Sequence, residues 1–287
     1  MFDFSIIIVS YRARDWSRAN LLSARVSSQG LKCQIFVVDN HSEDGTVEMI
    51  KNDFSEVRLI ANQANVGFAR ANNQALKQAA GKYIILLNPD MRLRPDTLTK
   101  LLAWLENNPQ AAITGLKLVD HNGQIVPQVR RFPCLWDQAA IAAKLPHLCP
   151  RLLNHYLMSD FNYDQAVAVD SVRGSFFIIR QDVLQNLGLL DERFFVWFEE
   201  VDYCQRARVA GLEVWYTPAA TAVDYVGQTF KQLPLGQKQR YFRQSMLKYF
   251  AKWEPAWQVR LLKLAWAVGA VMGFVGRIFK LASRAKT

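Results

Sequence analysis

No glycine follows the first strand-like run of this 287-residue chain, SIIIVSYRARDW, and GxxxxGK[ST] occurs nowhere in it. The first absence argues against a dinucleotide-binding turn, where bare backbone approaches a pyrophosphate, and the second removes a Walker-type phosphate loop. Cysteine is sparse: Cys33, Cys134, Cys149 and Cys204 are scattered with no CxxC pair. A disulfide framework and a clustered zinc site are therefore not expected. Met1 leads straight into SIIIVS without a secretory leader, so a reducing, cytoplasmic setting is expected. The apolar run from Leu264 to Gly276 has 13 residues, whereas crossing a bilayer takes about 20. No internal repeat or low-complexity segment is present.

What is there suits a globular chain with a substantial core: 51% hydrophobic and 21% charged residues. The net charge of +10 is concentrated at one end. Residues 231–287 hold 12 Lys or Arg against Glu254 alone, while the preceding 230 residues hold 23 Lys or Arg against 24 acids. That tail interleaves Trp253, Trp257, Trp266, Phe274 and Phe279 with aliphatic residues, which suits an anionic membrane surface better than nucleic acid.

FSIIIVSY (4–11), CQIFVVDN (33–40) and KYIILLNPD (82–90) are short β-branched apolar runs with room for helices between them, the rhythm of a parallel α/β sheet. Ser42 is a plausible helix cap, Gly81 a helix terminator, and Pro95 stands near the start of a helix whose Leu98, Leu101, Leu102 and Leu105 share one face. The nucleotide-type half is expected to end near Thr114. Asp39 and Asp90 close two of the strands, and open parallel sheets bind ligands at those ends. Asp39 can accept hydrogen bonds from a nucleobase imide or a ribose; it can equally be a solvated loop acid. In LLNPD, Asp90 beside Pro89 and Asn88 can present oxygen to a hard divalent cation. Asn65, Gly67, Asn72 and Asn73 lie between these acids; as a bare pattern they are ordinary loop residues.

FFVWFEEVDYCQR (194–206) sets Glu199, Glu200 and Asp202 behind Phe194, Phe195, Trp197 and Phe198. A helix from Glu199 to just before Gly211 pairs Asp202 with Arg206 at i and i+4. Glu200 meets only Tyr203 and Cys204 at those spacings, and a carboxylate beside aromatic rings gains the proton affinity of a general base.

These motifs, with RGSFFIIR, GLLDERFFVWFEEVDYCQRARVAG and AVDYVGQT, resemble in order the inverting family 2 glycosyltransferases of GT-A fold, in their rhamnosyltransferase-like branch. The resemblance spans about residues 4–230. It implies an α/β fold with a mostly parallel central sheet and helices on both faces, in one domain over 1–230 with a nucleotide-binding half to about 115 and an acceptor half over 116–230. The composition of residues 231–287 adds the expectation of a C-terminal helical, basic and apolar tail that associates with a membrane. Donor binding would fall to Ser10, Tyr11, Asp39, Asn65, Gly67, Asn72 and Asn88. Asp90, with Asp224 as a second ligand, would hold Mg²⁺ or Mn²⁺. Glu200 falls where the family carries its base, with Glu199 and Asp202 as alternatives. The implied partners are a nucleoside diphosphate sugar, dTDP-L-rhamnose favoured, and a saccharide or lipid-linked saccharide acceptor; the tail's composition adds peripheral attachment to the inner face of the cell membrane. Two departures stand out: Asn-Pro-Asp replaces Asp-x-Asp, and Asp224 stands where many relatives carry histidine. His41, His121, His147 and His155 match no motif. A nucleotidyltransferase and a non-catalytic membrane-bound module are the alternative readings.

Overall fold

The computed structural model describes residues 1–231 and 233–284, with side chains at all of these except 229, 230 and 272–284. Its first elements are β1 (Phe2–Ser10), α1 (Arg14–Ser27), β2 (Cys33–Asp39), α2 (Thr46–Asp53), β3 (Arg58–Ala61), α3 (Phe68–Leu76), β4 (Gly81–Leu87), β5 (Met91–Leu93), α4 (Thr97–Asn107) and β6 (Ala111–Val119). They are followed by β7 (Val129–Arg130), α5 (Leu135–Ala142), α6 (Asn154–Leu157), β8 (Val167–Val169), β9 (Ser171–Val172), β10 (Phe176–Arg180), α7 (Gln181–Leu187) and α8 (Glu199–Val209). The last are β11 (Glu213–Asp224), α9 (Gln228–Lys231), α10 (Leu235–Trp253) and α11 (Ala256–Arg284).

Packing divides the chain into residues 1–130 with 162–245, and residues 131–161 with 246 onward. The boundary expected at 230, where the charge changes, does not coincide with this division. In the first unit the large sheet runs β3-β2-β1-β4-β10-β6-β11-β5, with β8 added on β11. β3, β2, β1 and β4 are parallel, as the three apolar runs predict. β10 then enters antiparallel between β4 and β6, and β11 pairs parallel with β6 but antiparallel with β5 and β8. The expected boundary near Thr114 falls inside β6, which runs on to Val119.

The apolar runs are continuous because both faces of the sheet are covered. Phe4, Ile6 and Ile8 join Leu21 of α1, Met49 and Ile50 of α2 and Leu98, Leu101 and Leu105 of α4 in one core. The alternate side chains face the other layer, where Phe177 of β10 meets Tyr203 of α8 edge to face at 6.2 Å.

Two local expectations are corrected. Ser42 does not cap α2, which starts after Gly45 in the left-handed region at φ 83°. The Ser42 hydroxyl instead accepts the Arg12 N–H at 3.0 Å, tying the loop after β2 to the loop after β1. Gly81 does not end α3, which stops at Leu76; it opens β4. Its N–H donates to Ser5 Oγ at 2.9 Å.

The second unit contains α5, α6 and α11, and Gly269 of α11 lies against the Ala142 carbonyl at the end of α5. Of the tail aromatics named above, the side chains of Phe274 and Phe279 lie outside the described residues.

A Cβ at Gly81 would stand 2.4 Å from the backbone nitrogen of Ser5, which belongs to the adjacent strand and cannot swing away. Gly81→Ala is expected to destabilise the protein by about 1–3 kcal/mol, the usual cost of overpacking, read as a lower urea midpoint at unchanged slope.

Candidate functional site

The parallel strands deliver their carboxyl ends to one edge, with Ser10 and Asp39 opposite each other in register. β4 ends at Leu87, one residue before Asn88, and β11 returns to set Asp224 opposite Met91. Two clefts open along this edge. The first, of about 730 Å³, is lined by Tyr11, Asn40, Asn65, Gly67, Pro89, Asp90, Phe195, Leu233, Gln237 and Tyr241, among others. The second, of about 610 Å³, is lined by Arg173, Gly174, Ser175, Trp197, Glu199, Glu200, Asp224 and Gly227. Phe68, Asn88 and Val196 line both, so the two clefts meet there.

Of the residues singled out for the donor, Tyr11, Asn65, Gly67 and Asn88 line the first cleft. Ser10, Asp39 and Asn72 line neither. Ser10 is fully buried, its hydroxyl 2.9 Å from that of Ser17 in α1. Asn72 turns its amide back to the Phe68 carbonyl at 2.9 Å, an i−4 bond within α3. Asp39 lies behind the cleft wall, where Oδ2 accepts the Ser42 N–H at 3.1 Å. Its Oδ1 is buried without a hydrogen-bond partner among the described residues.

Gly67 has a specific reason to be glycine. Its φ is 89°, and a Cβ would meet the Phe195 ring and carbonyl at 2.7 Å. Phe68 N–H donates to that same carbonyl at 2.6 Å, so the start of α3 is pressed onto the aromatic loop. Asn73 holds the loop further upstream, exchanging hydrogen bonds of 2.9 and 3.0 Å with the backbone of Leu190. From the other side Tyr241 of α10 packs its ring 4.7 Å from that of Phe195, Phe242 lies against Trp197 and Phe198, and Ser245 Oγ donates to the Val196 carbonyl at 2.8 Å. The first turns of α10, whose composition is that of a membrane tail, therefore brace the loop that leads into α8.

That loop ends in two successive non-glycine residues in the left-handed region, Trp197 at φ 65° and Phe198 at φ 69°. Such conformations cost about 1–2 kcal/mol per residue and persist only where surrounding contacts over-determine them. The turn sets Glu199 and Glu200 at the head of α8, facing the second cleft. Asp202 is fully buried, 3.3 Å from Arg206 Nε. Burial, then the neighbouring charges of Glu200 and Asp202, push the Glu199 carboxyl well above the usual carboxylate range. Burial also raises Glu200, against its own helix-start N–H groups and the Arg173 guanidinium. Glu200 is half-buried, with Oε2 lacking a hydrogen-bond partner among the described residues, and its stem rests beside Gly174.

Asp90 and Asp224 adjoin across the β5–β11 edge. Asp90 Oδ2 accepts the Gln228 N–H at 2.9 Å, and Asp224 Oδ1 accepts that of Val226 at 2.7 Å. Asp224 Oδ2 is buried without a hydrogen-bond partner among the described residues, and Arg173 Nη1 lies 4.0 Å from it. Burial raises Asp224, opposed first by Arg173. Among the described residues no group of three or more His, Cys, Asp or Glu is placed to hold a metal. Two carboxylates nonetheless fit Mg²⁺ or Mn²⁺, hard cations that characteristically take one or two protein carboxylates and complete their shell with substrate phosphate and water. Of the four histidines, His41 stands 3.4 Å from Glu43, and His121 stacks on Tyr225 at 6.4 Å.

Arg173, Asn40, Asn73, Leu233, Gln237 and Tyr241 are not marked for a role by the sequence. Asn73 and Arg173 lie in quoted motifs without a role assigned there, and Asn40 is the neighbour of Asp39 in VVDN; the Asn40 amide donates to Asn65 Oδ1 at 2.9 Å.

A carboxyl whose folded pKa lies above its unfolded value contributes stability that is complete below the unfolded value and lost as pH rises through the folded one. Glu199→Gln, which cannot ionise, is therefore expected to be more stable than the parent at neutral pH. Its denaturant midpoint should also fall less between pH 5 and 8; an equal fall in both proteins would show Glu199 to be ordinary.

Residues 5–188 match the family described as Glycosyl transferase family 2. N-acetylglucosaminyl-diphospho-decaprenol L-rhamnosyltransferase of Mycobacterium tuberculosis is 28% identical over 208 residues, 67% of this chain and 66% of that protein. The chain thus spans about two thirds of that relative's length. dTDP-rhamnosyl transferase RfbF of Shigella flexneri is 24% identical over 225 residues, 77% of this chain and 68% of the relative. Among solved structures, mannosyltransferase PcManGT from Pyrobaculum calidifontis in complex with GDP-Man and Mn²⁺ superposes with a TM-score of 0.58 at 17% identity, covering 99% of this chain and 80% of that one. The fold is GT-A, and the chain belongs to the family 2 glycosyltransferases.

Proposed function

We propose that the protein transfers one sugar, with inversion, from a nucleoside diphosphate donor to a saccharide acceptor. The carrying observation is the pair of clefts that meet at Asn88, with Asp90 in one and Glu200 in the other. The first cleft takes the nucleotide, its base toward Tyr11, Asn40 and Asn65 and its diphosphate toward Asp90 and the junction with the second cleft at Asn88. The second takes the acceptor hydroxyl. Glu200 accepts its proton while the oxygen attacks the anomeric carbon from the face opposite the nucleotide, so the two clefts keep nucleophile and leaving group apart. Glu200 is the base in preference to Glu199 because it is half-exposed while Glu199 is buried, and in preference to Asp202 because that carboxylate is paired with Arg206. Asp90 and Asp224 would hold a divalent cation, which supplies neutralisation of charge building on the diphosphate.

The donor we favour is dTDP-L-rhamnose, the acceptor a lipid-linked saccharide; the rhamnosyltransferase relatives support both. The nucleotidyltransferase alternative gives the second cleft no task. Glu200→Gln is expected to keep donor binding and to lower transfer about 10²- to 10⁴-fold, measured as rhamnosyl transfer from dTDP-L-rhamnose at saturating Mn²⁺. Transfer within a few fold of the parent would remove Glu200 as base.

Peripheral attachment to a membrane completes the reading. No helix among the described residues is long and apolar enough to cross a bilayer. Along α11, Trp257, Leu261, Leu264, Val268 and Val271 recur every three or four residues and are all exposed, a continuous apolar stripe flanked by Arg260 and Lys263. In the same unit Trp136, Leu148 and Leu152 are exposed beside Lys144 and Arg151. Apolar stripes edged with cations lie in the interface of anionic lipid. Replacing Leu261, Leu264 and Val268 by Ser should reduce co-sedimentation with anionic vesicles about tenfold or more while transfer to a soluble acceptor analogue persists. Unchanged sedimentation would refute membrane attachment through α11.

A further inference from the structure

The charged residues lining the two clefts are Asp90, Glu199, Glu200, Asp224 and one cation, Arg173, among the described residues. Arg173 is pinned by its backbone, whose N–H donates to the Gln128 carbonyl at 2.9 Å. Its side chain makes a 3.5 Å contact from Nη1 to the Pro127 carbonyl and stands 4.0 Å from Asp224 Oδ2. It is 33% exposed, and Nε and Nη2 have no protein hydrogen-bond partner among the described residues. A guanidinium has five donors in a planar fork that matches phosphate oxygens, and here most of that fork is uncommitted at the edge where Asp90, Asp224 and Glu200 converge.

We propose that Arg173 is a catalytic residue, the side chain that grips diphosphate oxygens in this site. The proposal rests on the nucleotide-sugar reading above and adds a protein-borne cation to it. As the anomeric C–O bond breaks, its electron pair stays on the diphosphate while the acceptor proton passes to Glu200; Arg173 donates N–H bonds to the oxygen that gains the charge. The 4.0 Å separation from Asp224 is that of a loose partner, one that can turn to a substrate anion without breaking a close hydrogen-bonded pair. A lipid-linked acceptor can also bring a diphosphate to this edge, and the recognising chemistry is the same.

Calorimetry on the full chain at fixed Mn²⁺ separates these cases, with dTDP, thymidine and farnesyl diphosphate as probes for the parent and Arg173→Gln. The expected result is a parent that binds dTDP more tightly than thymidine, and a variant whose dTDP affinity falls about tenfold or more while thymidine affinity holds. A loss for farnesyl diphosphate alone assigns Arg173 to the acceptor's diphosphate and overturns its role on the leaving group. Unchanged affinity for both diphosphates overturns the proposal. A parent that binds dTDP no better than thymidine overturns the nucleotide-diphosphate reading itself, and this inference with it. Should Arg173→Gln lose its cooperative thermal transition, Arg173→Lys carries the same comparison: it keeps the charge, loses the fork, and should show a smaller loss.

Discussion

The left-handed turn at Trp197 and Phe198 is the constraint on which the candidate site depends. A free chain avoids two such residues in a row, so the contacts around them must outweigh a few kcal/mol of strain. Those contacts come from three directions: α3 through Gly67 and Phe68, Asn73 through the Leu190 backbone, and α10 through Tyr241, Phe242 and Ser245. Each is worth about 1 kcal/mol or so as a hydrogen bond or ring pair. Together they are of the size needed, and removing any one leaves the turn less firmly set.

The second constraint is electrostatic. Glu199, Glu200, Asp90 and Asp224 are gathered at one edge and partly stripped of water, which raises the proton affinity of Glu199, Glu200 and Asp224. A fold selected for stability alone would not assemble them. The arrangement suits the proposed site, in which one carboxylate would serve as base and two would hold a cation, and Arg173 opposes the rise at both Glu200 and Asp224.

The parallel half is legible in the sequence because strands covered on both faces must be continuously apolar, and their acidic ends sit where such sheets bind ligands. α8 is legible at both ends, from the acids that favour its first turn to Gly211 just past its last. Ser42 misleads because its hydroxyl has two possible partners, and the one it takes, the Arg12 N–H, belongs to another strand's loop. Ser10 and Asn72 stand in the right motifs, but the Ser10 hydroxyl turns to α1 and the Asn72 Nδ2 donates back within α3. Arg173 opens the RGSFFIIR motif, but nothing in that motif marks it for a role until the sheet closes and sets it beside Asp224. Residues 231–245 share the basic and aromatic composition of residues 246–287, so composition could not separate the residues that line the first cleft from those that follow.

α10 limits where this chain can be cut. A fragment ending at 230 would keep every strand of the large sheet and the whole family-matched segment, yet it would lack the far wall of the first cleft and the brace on the aromatic turn. Ending at Ser245 instead would leave a severed helix whose last turns have no onward support. The portable unit is therefore larger than its motifs, and a graft or a fusion partner belongs beyond Trp253.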